Sequence, residues 1–171
     1  MKKYGIVVVS LLLLLLGQAA SAQTYKVPGT RYSVWFPDAP RVEAPTTAKD
    51  GTGLRNFSAD DGYASFTLTL FSTKRAMTEA DVTRMSGIYR TCGDTSEVEH
   101  LKYSLNGVDY PAVVWSDDCS KIDMAFKTVM VAVGNDVVEL RWFFNTSHLK
   151  KGDVEPAIEQ MKYFISSLKM D

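Results

Sequence analysis

The stretch from Glu97 to Ser116, EVEHLKYSLNGVDYPAVVWS, constrains this chain more than any other, because it sets Asn106-Gly107 between two strand-like runs. Asn and Gly both tolerate positive φ, which a type I′ turn demands at both of its central residues. The twist of that turn matches the twist of an antiparallel strand pair. A chain folded back over two residues has the register of the whole hairpin set by the turn. The arrangement recurs. Gly134-Asn135-Asp136 joins KIDMAFKTVMVAV to VVELRWFFN, and ADDG, with its Asp61-Gly62 pair, joins LRNFS to YASFTLTLF.

Within these runs the residues alternate. Ala64, Phe66, Leu68 and Leu70 share one face, with Ser65, Thr67 and Thr69 on the other. Val138, Leu140, Trp142 and Phe144 form a wholly apolar face opposite Glu139 and Arg141, so one side of the sheet is expected to meet a helix. RYSVWFP alternates in the same way at Tyr32, Val34 and Phe36 until Pro37 stops it. Pro111 cannot donate to a ladder, which places its strand at an edge or at a bulge.

Two segments change period. In MTEADVTRMSGIYRTCG, Thr78 is a good N-cap, Glu79 and Asp81 suit the positive first turn, and Val82, Met85, Ile88 and Tyr89 recur at helical spacing. A helix is expected over about Glu79 to Thr91, capped by Gly93. In GDVEPAIEQMKYFISSLK, Asp153 and Pro156 mark a start, and Ile158, Met161, Ile165 and Leu168 make the expected core stripe. Glu159, Gln160, Lys162 and Ser166 would then face solvent. The segment Gln23–Gly29 reads as a lead-in and Asp38–Gly53 as a long loop without periodicity.

Residues 1–22, MKKYGIVVVSLLLLLLGQAASA, have the layout of a secretory signal peptide: basic Lys2 and Lys3, an apolar run, and Ala20-Ser21-Ala22 as the cleavage site. The apolar run, Ile6 to Leu16, is shorter than the roughly 17 to 25 residues of a spanning helix. Cleavage is therefore expected after Ala22, leaving a single domain over 23–171 in the periplasm with no membrane span. Without residues 1–22, 17 Lys and Arg stand against 20 Asp and Glu, a net charge of −3. A mildly acidic chain whose longest basic run is two lysines does not attract nucleic acid or an anionic membrane surface.

Export bears on the two cysteines, Cys92 and Cys119. Cys92 is expected at a helix C-terminus among Asp94, Glu97, Asp117 and Asp118, surroundings that raise a thiol's pKa and disfavour a nucleophile. A structural disulfide, Cys92 to Cys119, is the expectation. It would close a loop of roughly 28 residues and contribute about 3 to 4 kcal/mol in the chain-entropy account.

Strands, a helix, two strand hairpins and a closing helix amount to an α+β domain: a mainly antiparallel sheet of about six to seven strands packed by two main helices. At YSVWFPDAP, LNGVDYPAVVW and AIEQMKYFISSLK the chain resembles the PsbP-like (Mog/PsbP fold) family. That resemblance implies a binding or accessory module, in some bacterial versions similar to chaperones or immunity proteins. It carries no site residue over.

Catalytic motifs do not surface: no G-x-S-x-G, no H-E-x-x-H, no phosphate-binding glycine loop and no metal-type cysteine cluster. His100 and His148 read as surface residues, and Asp94, Asp117, Asp118 and Asp123 as a solvated acidic turn rather than a calcium loop. No cofactor and no metal are expected. Trp35, Tyr110, Trp115 and Arg141 are the candidate binding surface, since aromatic anchors and arginines dominate interface energies. The function expected is an exported, non-catalytic protein-binding or accessory module with an envelope or secreted protein as partner. The alternatives are a small-ligand or lipid-binding periplasmic module with an apolar pocket between the sheet and the C-terminal helix, and a hydrolase-type enzyme without a recognisable motif.

Overall fold

The computed structural model describes residues 23–88, 94–95, 97–119, 122–146 and 154–171. The expected signal peptide, Cys92, the Gly93 cap and His148 lie outside the described residues. In chain order the strands are β1 (Gln23–Lys26), β2 (Tyr32–Phe36), β3 (Arg41–Val42), β4 (Thr46–Thr47), β5 (Gly53–Asp60) and β6 (Ala64–Ser72). Helix α1 (Glu79–Ile88) follows, then β7 (Asp94–Thr95), β8 (Glu99–Leu105), β9 (Val108–Cys119), β10 (Met124–Val133), β11 (Asp136–Asn145), helix α2 (Val154–Ser166) and β12 (Lys169–Met170).

The turns follow their residue types. Asn106 and Gly107 have φ of 52° and 77°, both positive as a type I′ turn requires. Asp61 uses Oδ1 to accept the Tyr63 and Ala64 amides at 3.0 and 2.8 Å across the Gly62 turn. Thr78 and Asp81 form a reciprocal cap at the start of α1: the Asp81 amide donates to Thr78 Oγ1 at 3.3 Å, and the Thr78 amide to Asp81 Oδ2 at 3.0 Å. The bidentate Arg75 guanidinium and the Thr78 donors hold the Asp81 carboxyl well below the usual carboxylate range.

Among the described residues nine strands form one antiparallel sheet in the order β3-β5-β6-β11-β10-β9-β7, with β4 also beside β5 and β8 also beside β9. Three more, β1-β2-β12, form a second antiparallel sheet. Alternation gives the large sheet two different faces. Phe57, Leu68, Leu140, Val129 and Val114 stand in one cross-strand row on the first face. This face packs with Val34 and Phe36 of β2 and with Ala157 and Phe164 of α2 in the larger core. On the opposite face Phe71, Val113, Trp115, Met130 and Val137 pack against Val82 and Met85 of α1 in a second core.

The fold is therefore largely β, and the expected α+β domain of six to seven strands packed by two main helices is corrected on two counts. First, the lead-in and the aperiodic loop are strand-bearing: β1 lies in Gln23–Gly29, and β3 and β4 lie in Asp38–Gly53. Strands of two to four residues are too short to show a period. They form because an edge offers unpaired backbone groups, as where the Glu43 amide donates to the Asn56 carbonyl at 3.1 Å. Second, each helix buries few residues, Asp81, Val82, Met85 and Ser86 in α1 and Ala157 and Phe164 in α2. Of the stripe expected in the closing segment, Leu168, just past the helix end, is buried in the larger core as expected, Met161 and Ile165 lie at its margin and Ile158 is partly buried, while Ala157 and Phe164 are the buried residues of α2 itself. Strand β2 departs from alternation too. All five of its residues are buried, because β1 and β12 flank it and α2 covers it. Pro111 sits where β9 pairs with β8 but its ladder to β10 has already stopped at Ala112, so its missing donor breaks no bond to β10.

Candidate functional site

Because α2 is anchored by so few side chains, it leaves open ground on both flanks. On one flank a groove of about 570 Å³ is lined by Trp35, Pro156, Glu159, Lys162, Tyr163 and Ser166. Tyr163 is half exposed and meets the Trp35 ring edge-on, with centroids 5.1 Å apart at 83°. On the other flank, between α2 and the β8 edge, a second groove of about 460 Å³ is lined by Leu101, Tyr103, Val114, Lys127, Val129 and Ile165. Lys127 also lines a third depression, of about 400 Å³, with Phe126, Trp142 and Met161.

The Tyr103 hydroxyl donates to the Ile165 carbonyl at 2.6 Å, which ties β8 to the last turn of α2, and burial pushes the Tyr103 phenol up to about 12. Two indoles border these grooves, Trp35 on one flank and Trp142 on the other, and each has a buried Nε1 donor without a hydrogen-bond partner among the described residues. Strand β8 has β9 on one side and, among the described residues, no strand on the other, so its outer backbone groups form a free edge beside the second groove.

The four residues expected to form a binding surface are split by the sheet. Trp35 and Tyr110 lie with the larger core, Trp35 at 8% exposure and Tyr110 partly buried. Trp115 and Arg141 lie on the opposite face, in one row through Thr128. Trp115 is 1% exposed, so it packs the second core and offers no surface, and its indole donates to Asp117 Oδ2 at 3.3 Å. Arg141 lies 2.7 Å from Glu139, itself only 4% exposed, on the same strand. Only Trp35 of the four borders a groove. The residues missed were Tyr163 and Leu101. The sign of Tyr163 was present as a large aromatic on a helix outside the apolar stripe.

Other candidates also take their places. His100 Nδ1 lies 2.8 Å from Glu79 Oε1, an exposed contact between β8 and the start of α1. The acidic turn is not uniformly solvated: Asp117 is 2% exposed, Asp118 is exposed, and the Asp94 backbone pairs with Asp118. Among the described residues no group of three or more His, Cys, Asp or Glu side chains is arranged to hold a metal ion. Nor is any described helix long and apolar enough to cross a membrane. No protein-family model matches the chain, and no curated protein matches it.

Proposed function

We propose that this chain is an exported, non-catalytic binding module whose grooves along α2 take an extended segment of a partner protein. The observation that carries the reading is the pair of apolar grooves flanking the same helix, one bordered by Trp35 and Tyr163 and the other by Leu101, Tyr103 and Ile165. A polypeptide supplies apolar side chains for the grooves. The free edge of β8 adds backbone groups that an incoming strand would pair. Tyr163 and Leu101, at 50% and 37% exposure, stand where aromatic and aliphatic anchors would be buried on binding.

The test uses the oxidised chain from Gln23 onward to isolate a stoichiometric partner from cell-envelope extract, followed by titration of the purified pair. Tyr163→Ala and Leu101→Asp are each expected to weaken that complex by about tenfold or more while leaving circular dichroism unchanged. Complexes of unaltered affinity in both variants, or saturable binding of a lipid to these grooves in place of a protein, would overturn the reading.

Export and a structural disulfide belong to the same proposal, with cleavage after Ala22 and a Cys92–Cys119 bridge. Cys119 is 5% exposed at the end of β9. The Asp94 backbone pairs with that of Asp118, the neighbour of Cys119, which supports the bridge. Thiol titration of the mature protein, unfolded in denaturant without reductant, should find no free thiol. Two free thiols would exclude the bridge.

A further inference from the structure

Away from α2, a cavity of about 330 Å³ lies between the turn Ala48–Thr52, the connection Thr73–Met77 and helix α1. Its wall is apolar, made by Leu54, Phe71, Met77 and Met85, and its polar lining includes Lys74, Arg75 and Arg84 against the single acid Asp50. These cations are not equivalent. Arg75 is held by Asp81 through two hydrogen bonds of 2.6 and 2.7 Å, and Arg84 lies 3.7 Å from the same carboxylate. Lys74 forms no ion pair among the described residues, and its ammonium lies over the backbone at Gly51. A Cβ added to Gly51 would stand 3.0 Å from Lys74 Nζ. Gly51 has φ of +84°, so glycine here both makes the turn and leaves room for the ammonium.

We propose that this cavity binds a small amphipathic carboxylate, with its acid group on Lys74 and Arg84 and its apolar body against Met77, Met85 and Leu54. Among the described residues three cations face Asp50 and Asp81, a local positive excess that favours an anion. The volume lies at the lower end of the range for small-molecule sites, which are largely apolar with a few placed polar groups. Two methionines in the wall suit an apolar chain, because the unbranched thioether adapts its shape to what it packs against. The site shares no residue with the grooves along α2.

The experiment is a titration of the mature protein, labelled with carbon-13 at the methionine methyls, with decanoate and, separately, with decanol as its neutral counterpart. Decanoate is expected to shift the Met77 and Met85 methyls saturably and to leave Met161, which lines a groove by α2, in place. Decanol should bind about tenfold more weakly, and Lys74→Gln, an exposed substitution, should weaken decanoate binding by a similar factor without moving the unfolding temperature. Shifts centred on Met161, equal affinity for decanol, unaltered affinity in Lys74→Gln, or no saturable shift below the micellar concentration of decanoate would each overturn the proposal.

Discussion

Phe164→Ala is expected to destabilise the protein by about 3 to 5 kcal/mol, the range for removing a buried aromatic side chain from a core that relaxes only in part. Phe164 is 0% exposed, and its ring packs 5.3 Å from Phe66 of the large sheet, edge-on, and 5.5 Å from Phe36 of β2. It therefore joins three layers at one point, and with Ala157 it is one of only two buried residues in α2. In a domain of this size each kcal/mol moves the unfolding midpoint by roughly 2 to 4 °C, so a fall of about 6 to 20 °C is expected in calorimetry. Ile158→Ala, at a position of the stripe expected from sequence but only partly buried, should cost far less. Equal costs for the two, or a Phe164→Ala cost below about 1 kcal/mol, would show that α2 is not anchored through this ring.

The second large effect concerns Glu139 and Arg141. Burial raises the Glu139 carboxyl above its ordinary 4.5, against the opposing influence of Arg141 and a Thr69 hydrogen bond. The sign follows from proton binding. A carboxyl raised in the folded state holds a proton that the unfolded chain releases, so its contribution is most favourable below about 4.5 and declines as pH rises toward the folded value. Glu139→Gln should flatten that part of the stability profile. Arg141→Leu removes the ion that offsets the buried carboxylate, and a loss of about 3 to 5 kcal/mol at pH ~7.5 is expected, shrinking near pH ~4.5 where the carboxyl takes up a proton. The double variant Glu139→Leu with Arg141→Leu should recover most of that loss, because two apolar residues leave no buried charge behind. Urea unfolding at the two pH values measures all of this. An Arg141→Leu cost that does not vary with pH would mean that Arg141 acts through packing and not through the carboxylate.

Both predictions rest on features that alternation could not supply. The sequence puts Arg141 opposite Trp142 on β11, which is correct, and offers it either as part of a surface patch or as the partner of an acid across the sheet, whereas its acid, Glu139, lies on its own strand. Its ion pair with Glu139 depends on what closes over that face. Trp115 and Trp35 looked alike in sequence, each a strand aromatic whose chain neighbours include polar residues. Trp115 is enclosed in the second core under α1, while Trp35 borders a groove because α2 passes beside it. The grooves themselves were legible only as the general expectation of apolar space between the sheet and the C-terminal helix. Their exact lining follows from the rotation of α2 about its axis, and Ala157 and Phe164 set that rotation.

What the sequence determined by itself is local. Asn106-Gly107, Asp61-Gly62 and the Thr78–Asp81 cap each depend on the φ preferences or side-chain reach of a few adjacent residues, and alternation then settled which residues of β6 and β11 share a face. Only the tertiary structure decided that the aperiodic segments would become β1, β3 and β4, that the fold would be largely β, and which aromatics would be sealed in. These outcomes depend on backbone edges and apolar faces brought together from distant parts of the chain. The free energy of burial attaches to such a pair of surfaces, and a single segment read alone carries only half of it.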